Sequence, residues 1–155
     1  MLVKFNYRKE IAPELLFSEE NRKLNNGENL EEFVVMLYNI AKEYPKFGKV
    51  YNHLGWIFET KFRDFAKAEE NYKMALQLSP DYPAIYENYA YTLERLGKLD
   101  EMDDLLKKAL EQPATNKEAI YRLYGRLFEL RGDFEKAIAE YRHAITNSFS
   151  GEDIN

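Results

Sequence analysis

The sequence contains no cysteine, only two histidines and a single tryptophan. Without cysteine the chain cannot form disulfides, thiolate zinc sites or a cysteine nucleophile. His53 and His143 are 90 residues apart, and neither has a second histidine four positions away, which is the spacing of a helical zinc site. The sequence therefore predicts no metal site and no cofactor.

Long apolar runs and an excess of positive charge are also missing. No run approaches the length that spans a bilayer, and Lys4, Lys9 and Pro13 interrupt the N-terminal segment where a signal peptide would need an apolar core. We therefore expect no membrane segment and a cytoplasmic location. Lys and Arg total 22 against 27 Asp and Glu, a net charge of −5. Because an acidic surface repels phosphate backbones, nucleic acid is not the expected partner.

Catalytic motifs are absent as well. The sequence has no glycine-rich phosphate loop, nucleophile elbow or metalloprotease motif. The acidic run from Asp100 to Asp104 opens a predicted helix that ends at Lys107 and Lys108. Because this arrangement of charges complements the helix dipole, we favour that explanation over a cation site. We predict that the chain is not an enzyme and has no catalytic residues.

What the sequence does contain is an internal repeat. Three similar segments, YNHLGWIFE, YENYAYTLE and YRLYGRLFE, begin at residues 51, 86 and 121, a spacing of 35. In each, a tyrosine is followed by apolar residues at helical spacing with a small residue among them, so one side of a helix faces a core and lets another helix approach closely. These stripes are Tyr51, Leu54, Gly55 and Phe58; Tyr86, Tyr89, Ala90 and Leu93; and Tyr121, Tyr124, Gly125 and Phe128.

A second apolar pattern follows each of these segments, with spacings of three, four and three residues. That spacing is typical of an amphipathic helix. The three sets are Phe65, Ala68, Tyr72 and Ala75; Leu99, Met102, Leu106 and Ala109; and Phe134, Ala137, Tyr141 and Ala144. Each repeat is therefore predicted to be a pair of helices.

A chain of helix pairs with this period resembles the tetratricopeptide repeat family. The family signature of an aromatic, Leu and Gly, a second aromatic, and a later Ala, aromatic and Pro is matched by Tyr51, Leu54, Gly55, Phe58, Ala68, Tyr72 and Pro80. The resemblance implies an all-α, right-handed superhelix, or α-solenoid, of antiparallel helix pairs. The period of 35 rather than 34 predicts a turn that is one residue longer than usual.

The resemblance divides the chain into six segments. We predict an N-terminal extension at 1–13, a degenerate leading helix pair at 14–47, three repeats at 48–82, 83–117 and 118–146, and a C-terminal tail at 147–155. The leading pair would place its first helix through residues 13–24, and its second on Leu30, Phe33, Leu37 and Ile40. Terminal repeats are commonly atypical because one side faces water.

A second stripe on each first helix is left unexplained by core packing. It lies about 110° from the core stripe by the helical wheel, and in the resembled family this side lines a concave groove that binds peptides or partner helices. The stripe consists of Asn52, Trp56, Glu59, Glu87, Tyr91, Glu94, Arg122, Arg126 and Glu129.

Stacked repeats would align these residues in rows. Trp56, Tyr91 and Arg126 would form one row with the composition of a binding hot spot. The neighbouring row of Glu59, Glu94 and Glu129 would favour a partner with basic residues. The alternative for Trp56 and Tyr91 is that they only pack on neighbouring helices.

Two functions follow from this interpretation. The first is a non-catalytic protein-binding scaffold that holds a peptide or helix of a partner in the groove. The alternative is structural self-association, a homodimer through the open end of the solenoid, because the ten residues after Ile145 contain no obvious capping helix.

Overall fold

The computed structural model describes Ser18 and residues 30–149. This part of the chain is built from α-helices and one π-helical turn, and it contains no strand. The helices are α1 (Leu30–Glu43), α2 (Gly48–Ile57), α3 (Phe65–Leu78), α4 (Ala84–Arg95), α5 (Leu99–Glu111), α6 (Lys117–Leu130) and α7 (Phe134–Phe149). None of these helices is long and apolar enough to cross a membrane. The predicted first helix of the leading pair, through residues 13–24, lies outside the described residues apart from Ser18.

The helices form three pairs, α2 with α3, α4 with α5 and α6 with α7, and α1 precedes the first pair. Each second helix also packs against the first helix of the next pair, and the first helices α2, α4 and α6 contact one another in order. One core runs through the array because every helix presents its apolar stripe to this stack. The surface formed by α2, α4 and α6 is the one expected to bind a partner.

The predicted close approach at the small residues is present. A Cβ built on Gly55 would lie 2.7 Å from the Tyr72 ring, and one built on Gly125 would overlap the Tyr141 ring. In the second pair Ala90 and Leu106, both fully buried, occupy the corresponding positions. Each pair therefore combines either glycine with tyrosine or alanine with leucine, so that a larger residue on one helix matches a smaller one on the other.

The extra residue of the first repeat lies in a π-helical turn, Phe58–Phe62, that continues α2. Counted from the repeat tyrosine to the first apolar residue of the second helix, this pair has one residue more than the other two. A π-helical turn accommodates a single inserted residue without moving the flanking helical register. Arg63 then reverses the chain in the left-handed region, at φ 57°, where the other two turns use Gly97 and Gly132.

Side-chain caps fix the turns that precede α3, α6 and α7. The Asp64, Asn116 and Asp133 side chains each accept a hydrogen bond from the backbone N–H three residues on, at 3.0, 3.3 and 3.2 Å. These bonds satisfy donors that the first turn of a helix otherwise leaves unpaired.

Two ion-pair clusters link successive repeats. Lys98 donates to both carboxylate oxygens of Glu69, at 2.7 and 2.8 Å. Arg131 donates to Asp100 at 2.7 Å and to Asp103 at 3.1 Å. The acidic residues that open α5 are therefore engaged in ion pairs between repeats. Burial alone would raise the pKa of Glu69, but the hydrogen bonds from Lys73 and Lys98 outweigh it, and the pKa is lowered.

Candidate protein-binding groove

The α2 part of the predicted stripe is mostly engaged in packing. Asn52 is only 2% exposed, and its Oδ1 accepts a hydrogen bond of 3.2 Å from the Asn88 side chain on α4. Trp56 is half-buried against the core, with the Lys61 ammonium 5.6 Å from its ring centroid. Asn52 therefore presents almost no surface to a partner, because its amide joins two repeats. Most of the Trp56 side chain is buried by packing against the core, as the alternative for this residue would have it.

The predicted glutamate row is not free to receive a partner's cations. The Tyr72 hydroxyl donates to Glu59 at 2.9 Å, and burial raises the pKa of Glu59, although this hydrogen bond opposes the shift. Arg126 donates to Glu94 at 2.9 and 3.0 Å and to Glu129 at 3.4 Å. A basic partner would have to displace these contacts. The glutamate row therefore does not favour a partner with basic residues.

A cavity of about 340 Å³ opens between α4 and α6. Four residues of the predicted stripe line it, namely Tyr91, Glu94, Arg122 and Arg126, and so do Arg95, Leu123 and Tyr141. Glu87 is half-buried and lies outside this cavity. The structure therefore concentrates the predicted site at the second and third repeats and leaves Asn52, Trp56, Glu59 and Glu129 out of the cavity lining.

The charge of this cavity is opposite to that of the whole chain. Three arginines line it against one glutamate, although the protein as a whole has a net charge of −5. Arg122 has only a surface contact with Glu118, at 3.7 Å, and such exposed pairs contribute little. The cavity therefore offers guanidinium groups that can bind carboxylates in a bidentate geometry.

Tyr91 is an open aromatic residue on α4, at the cavity. It is 46% exposed, whereas Tyr86, Tyr89 and Tyr124 are buried. Sequence reasoning missed Arg95 and Tyr141. The only signal for Arg95 was its position four residues after Tyr91, and Tyr141 had been assigned to the core, where its ring packs over Gly125.

A second cavity, of about 590 Å³, lies on the opposite side, between α3 and α5. Its charged lining is mixed, with Lys73 and Lys108 beside Glu101, Asp104 and Glu111. Lys73 and Lys98 already engage Glu101, at 3.8 and 3.5 Å. This cavity is larger, but its two lysines and three acidic residues nearly balance, and no open aromatic residue lines it.

The histidines do not take part in either cavity. Burial lowers the pKa of His53 to about 4, so its ring is neutral at pH 7. The His143 ring lies 5.4 Å from the Tyr121 ring. Across the described residues, no group of three histidine, aspartate and glutamate side chains is arranged to hold a metal ion.

The architecture defines the class of protein as an all-α solenoid of antiparallel helix pairs. A family model, described as tetratricopeptide repeat, matches residues 48–82, 83–116 and 119–149, more than half of the chain. The chain belongs to the tetratricopeptide repeat family, and this membership supports a role as a protein-interaction scaffold. No curated protein sequence matches it.

Solved structures of MamA share the fold. One MamA crystal structure superposes with a TM-score of 0.78 at 15% identity, covering 96% of this chain and 88% of its own. MamA AMB-1 gives a TM-score of 0.70 at 19% identity over 84% and 76%, and MamA MSR-1 gives 0.65 at 20% over 78% and 68%. At these identities the similarity shows the fold, a right-handed solenoid, and no more.

Proposed function

We propose that the chain is a non-catalytic scaffold that binds an acidic peptide or helix of a partner protein on the α2–α4–α6 surface. The cavity lined by Tyr91, Arg95, Arg122 and Arg126 carries this proposal. It combines one open aromatic side chain with an excess of arginine, on helices held rigidly by the repeat core. Aromatic and arginine side chains supply most binding hot spots.

The sign of the partner's charge differs from the expectation based on the glutamate row. Arg126 already pairs with Glu94 and Glu129, whereas Arg95 and Arg122 are exposed at the cavity. A carboxylate on the partner would meet guanidinium groups without first breaking a buried pair. Its association should be fast and should weaken as salt rises.

The test is affinity capture from a lysate of the source organism, with the full chain as bait. The groove variant is Tyr91→Ala/Arg122→Ala/Arg126→Ala. A matched control, Met74→Ala/Lys107→Ala/Lys108→Ala, removes one large side chain and two cations from exposed positions on α3 and α5. Circular dichroism and thermal melting establish that all variants are folded.

We expect a partner that wild type and control retain and that the groove variant loses by at least about tenfold, the loss of about 1.4 kcal/mol of binding free energy. Free polyglutamate should compete with this partner for the cavity. A partner retained by the groove variant, or lost only by the control, would transfer the binding site to the α3–α5 side. Capture of no protein by wild type would also count against the proposal.

A further inference from the structure

We propose that two copies of the chain pair through the exposed side of α7, antiparallel and about a two-fold axis. Three large apolar side chains lie open on this helix: Phe134, Ile138 and Ile145 are 66%, 53% and 57% exposed. Their spacing places them on one stripe of the helix, with Tyr141 between them. An exposed apolar stripe of this size indicates a contact surface.

The corresponding stripe is covered in the two earlier repeats. Leu76 on α3 and Leu110 on α5 occupy the position of Ile145, counted from the start of each second helix, and both are partly buried against the core. The covering elements are α4 and α6, the first helices of the following pairs. In the part of the chain that the structure describes, no helix follows α7.

The position of Ile138 indicates what kind of surface would cover α7. In the earlier repeats this position holds Glu69 and Asp103, which pair with Lys98 and Arg131 of the next repeat. Ile138 replaces the carboxylate with an apolar group, so α7 is not built to receive the basic turn of another such repeat. The stripe on α7 therefore suits an apolar surface. The same stripe on a second copy of the chain is such a surface.

Charge complementarity selects the antiparallel arrangement. Glu135 and Arg142 lie on the same edge of the stripe, both are exposed, and neither has an ion pair within the described chain. A two-fold axis between residues 139 and 140 sets Phe134 opposite Ile145 of the second copy. It also brings Glu135 within about 3 Å, along the helix axis, of the second copy's Arg142, whereas a parallel pair would separate them by about 10 Å.

A contact of one helix with its copy lies at the small end of protein interfaces, so we expect dissociation in the range of about 10–100 µM. Sedimentation of the full chain from about 5 to about 500 µM should show a monomer–dimer equilibrium in that range. Ile138→Glu/Ile145→Glu should weaken dimerisation by at least about tenfold. The matched control is Val35→Glu/Tyr38→Glu, which changes two exposed apolar residues on α1 and should leave the equilibrium unchanged.

A charge swap distinguishes pairing of two α7 helices from contact of α7 with any other surface. Glu135→Arg and Arg142→Glu should each weaken the dimer several-fold, and the double variant should restore it, because only a two-fold pair exchanges both charges at once. Deleting residues 150–155 should leave the equilibrium unchanged.

Three results would overturn the proposal. The first is a wild-type monomer at every concentration. The second is a dimer that is insensitive to Ile138→Glu/Ile145→Glu or is not restored by the double charge swap. The third is a dimer that appears only after residues 150–155 are deleted, which would make that segment the occupant of the α7 face.

Discussion

Gly55→Leu is expected to lower the free energy of unfolding by about 1–3 kcal/mol. The added Cβ alone would lie 2.7 Å from the Tyr72 ring, which is fully buried and has no room to move away. Glycine is a poor helix former, so leucine gains back part of the loss through propensity, up to about 1 kcal/mol. Urea unfolding measures the net change.

The second repeat suggests a compensating pair of substitutions at positions 55 and 72. Gly55→Ala/Tyr72→Leu reproduces the pair that Ala90 and Leu106 form there. It should be more stable than the sum of its two single substitutions predicts. Ala66→Leu, at an exposed position of α3, is the control for adding leucine to a helix and should be near neutral. Strictly additive effects, or a Gly55→Leu chain as stable as wild type, would contradict the size matching.

Tyr72→Ala is expected to lower the free energy of unfolding by about 3–5 kcal/mol, the cost of removing a buried aromatic side chain. The Tyr72 ring packs over Gly55, stacks on Tyr89 at a centroid distance of 5.8 Å, and reaches Glu59 with its hydroxyl. It therefore holds both helices of the first pair and the first helix of the second pair. Because a domain of this kind has only about 5–15 kcal/mol of stability, the variant should unfold at much lower urea concentration.

Two controls separate the contributions of Tyr72. Tyr72→Phe keeps the ring and removes the hydrogen bond to Glu59, so it should cost about 1 kcal/mol. Tyr91→Ala makes the same truncation at the exposed tyrosine of the groove and should change stability by less than about 0.5 kcal/mol. A Tyr72→Ala variant no less stable than Tyr91→Ala would show that the ring is not a core element.

The helix pairs were predictable because their signal is local. Tyr51, Leu54 and Phe58 mark a helix face by spacing alone, and the later Ala68 and Tyr72 mark its partner. The extra residue of the first repeat was predictable from the period, but not as a π-helical turn at Phe58–Phe62. Counting residues over a whole repeat gives the number of insertions and not their conformation.

The candidate site was predictable only in part, because a helical wheel describes one helix at a time. It placed Tyr91, Glu94, Arg122 and Arg126 on one side, and these four residues line one cavity. It could not show that Asn88, on the first helix of the next pair, donates a hydrogen bond to Asn52, or that Arg126 pairs with two glutamates. These contacts depend on distances between helices, and they reversed the charge expected of the partner.

Photo-crosslinking shows whether the α4–α6 cavity is the surface that binds the partner. A photoreactive aromatic residue is placed at Tyr91 or, as a control, at Met74, which is exposed to a similar extent on α3. We predict a protein cross-linked from position 91 and not from position 74, through a segment rich in Asp and Glu, with the product lost in Arg122→Ala/Arg126→Ala. A product from position 74 alone, or one from position 91 that is unaffected by loss of the two arginines, would show that the cavity is not the binding surface.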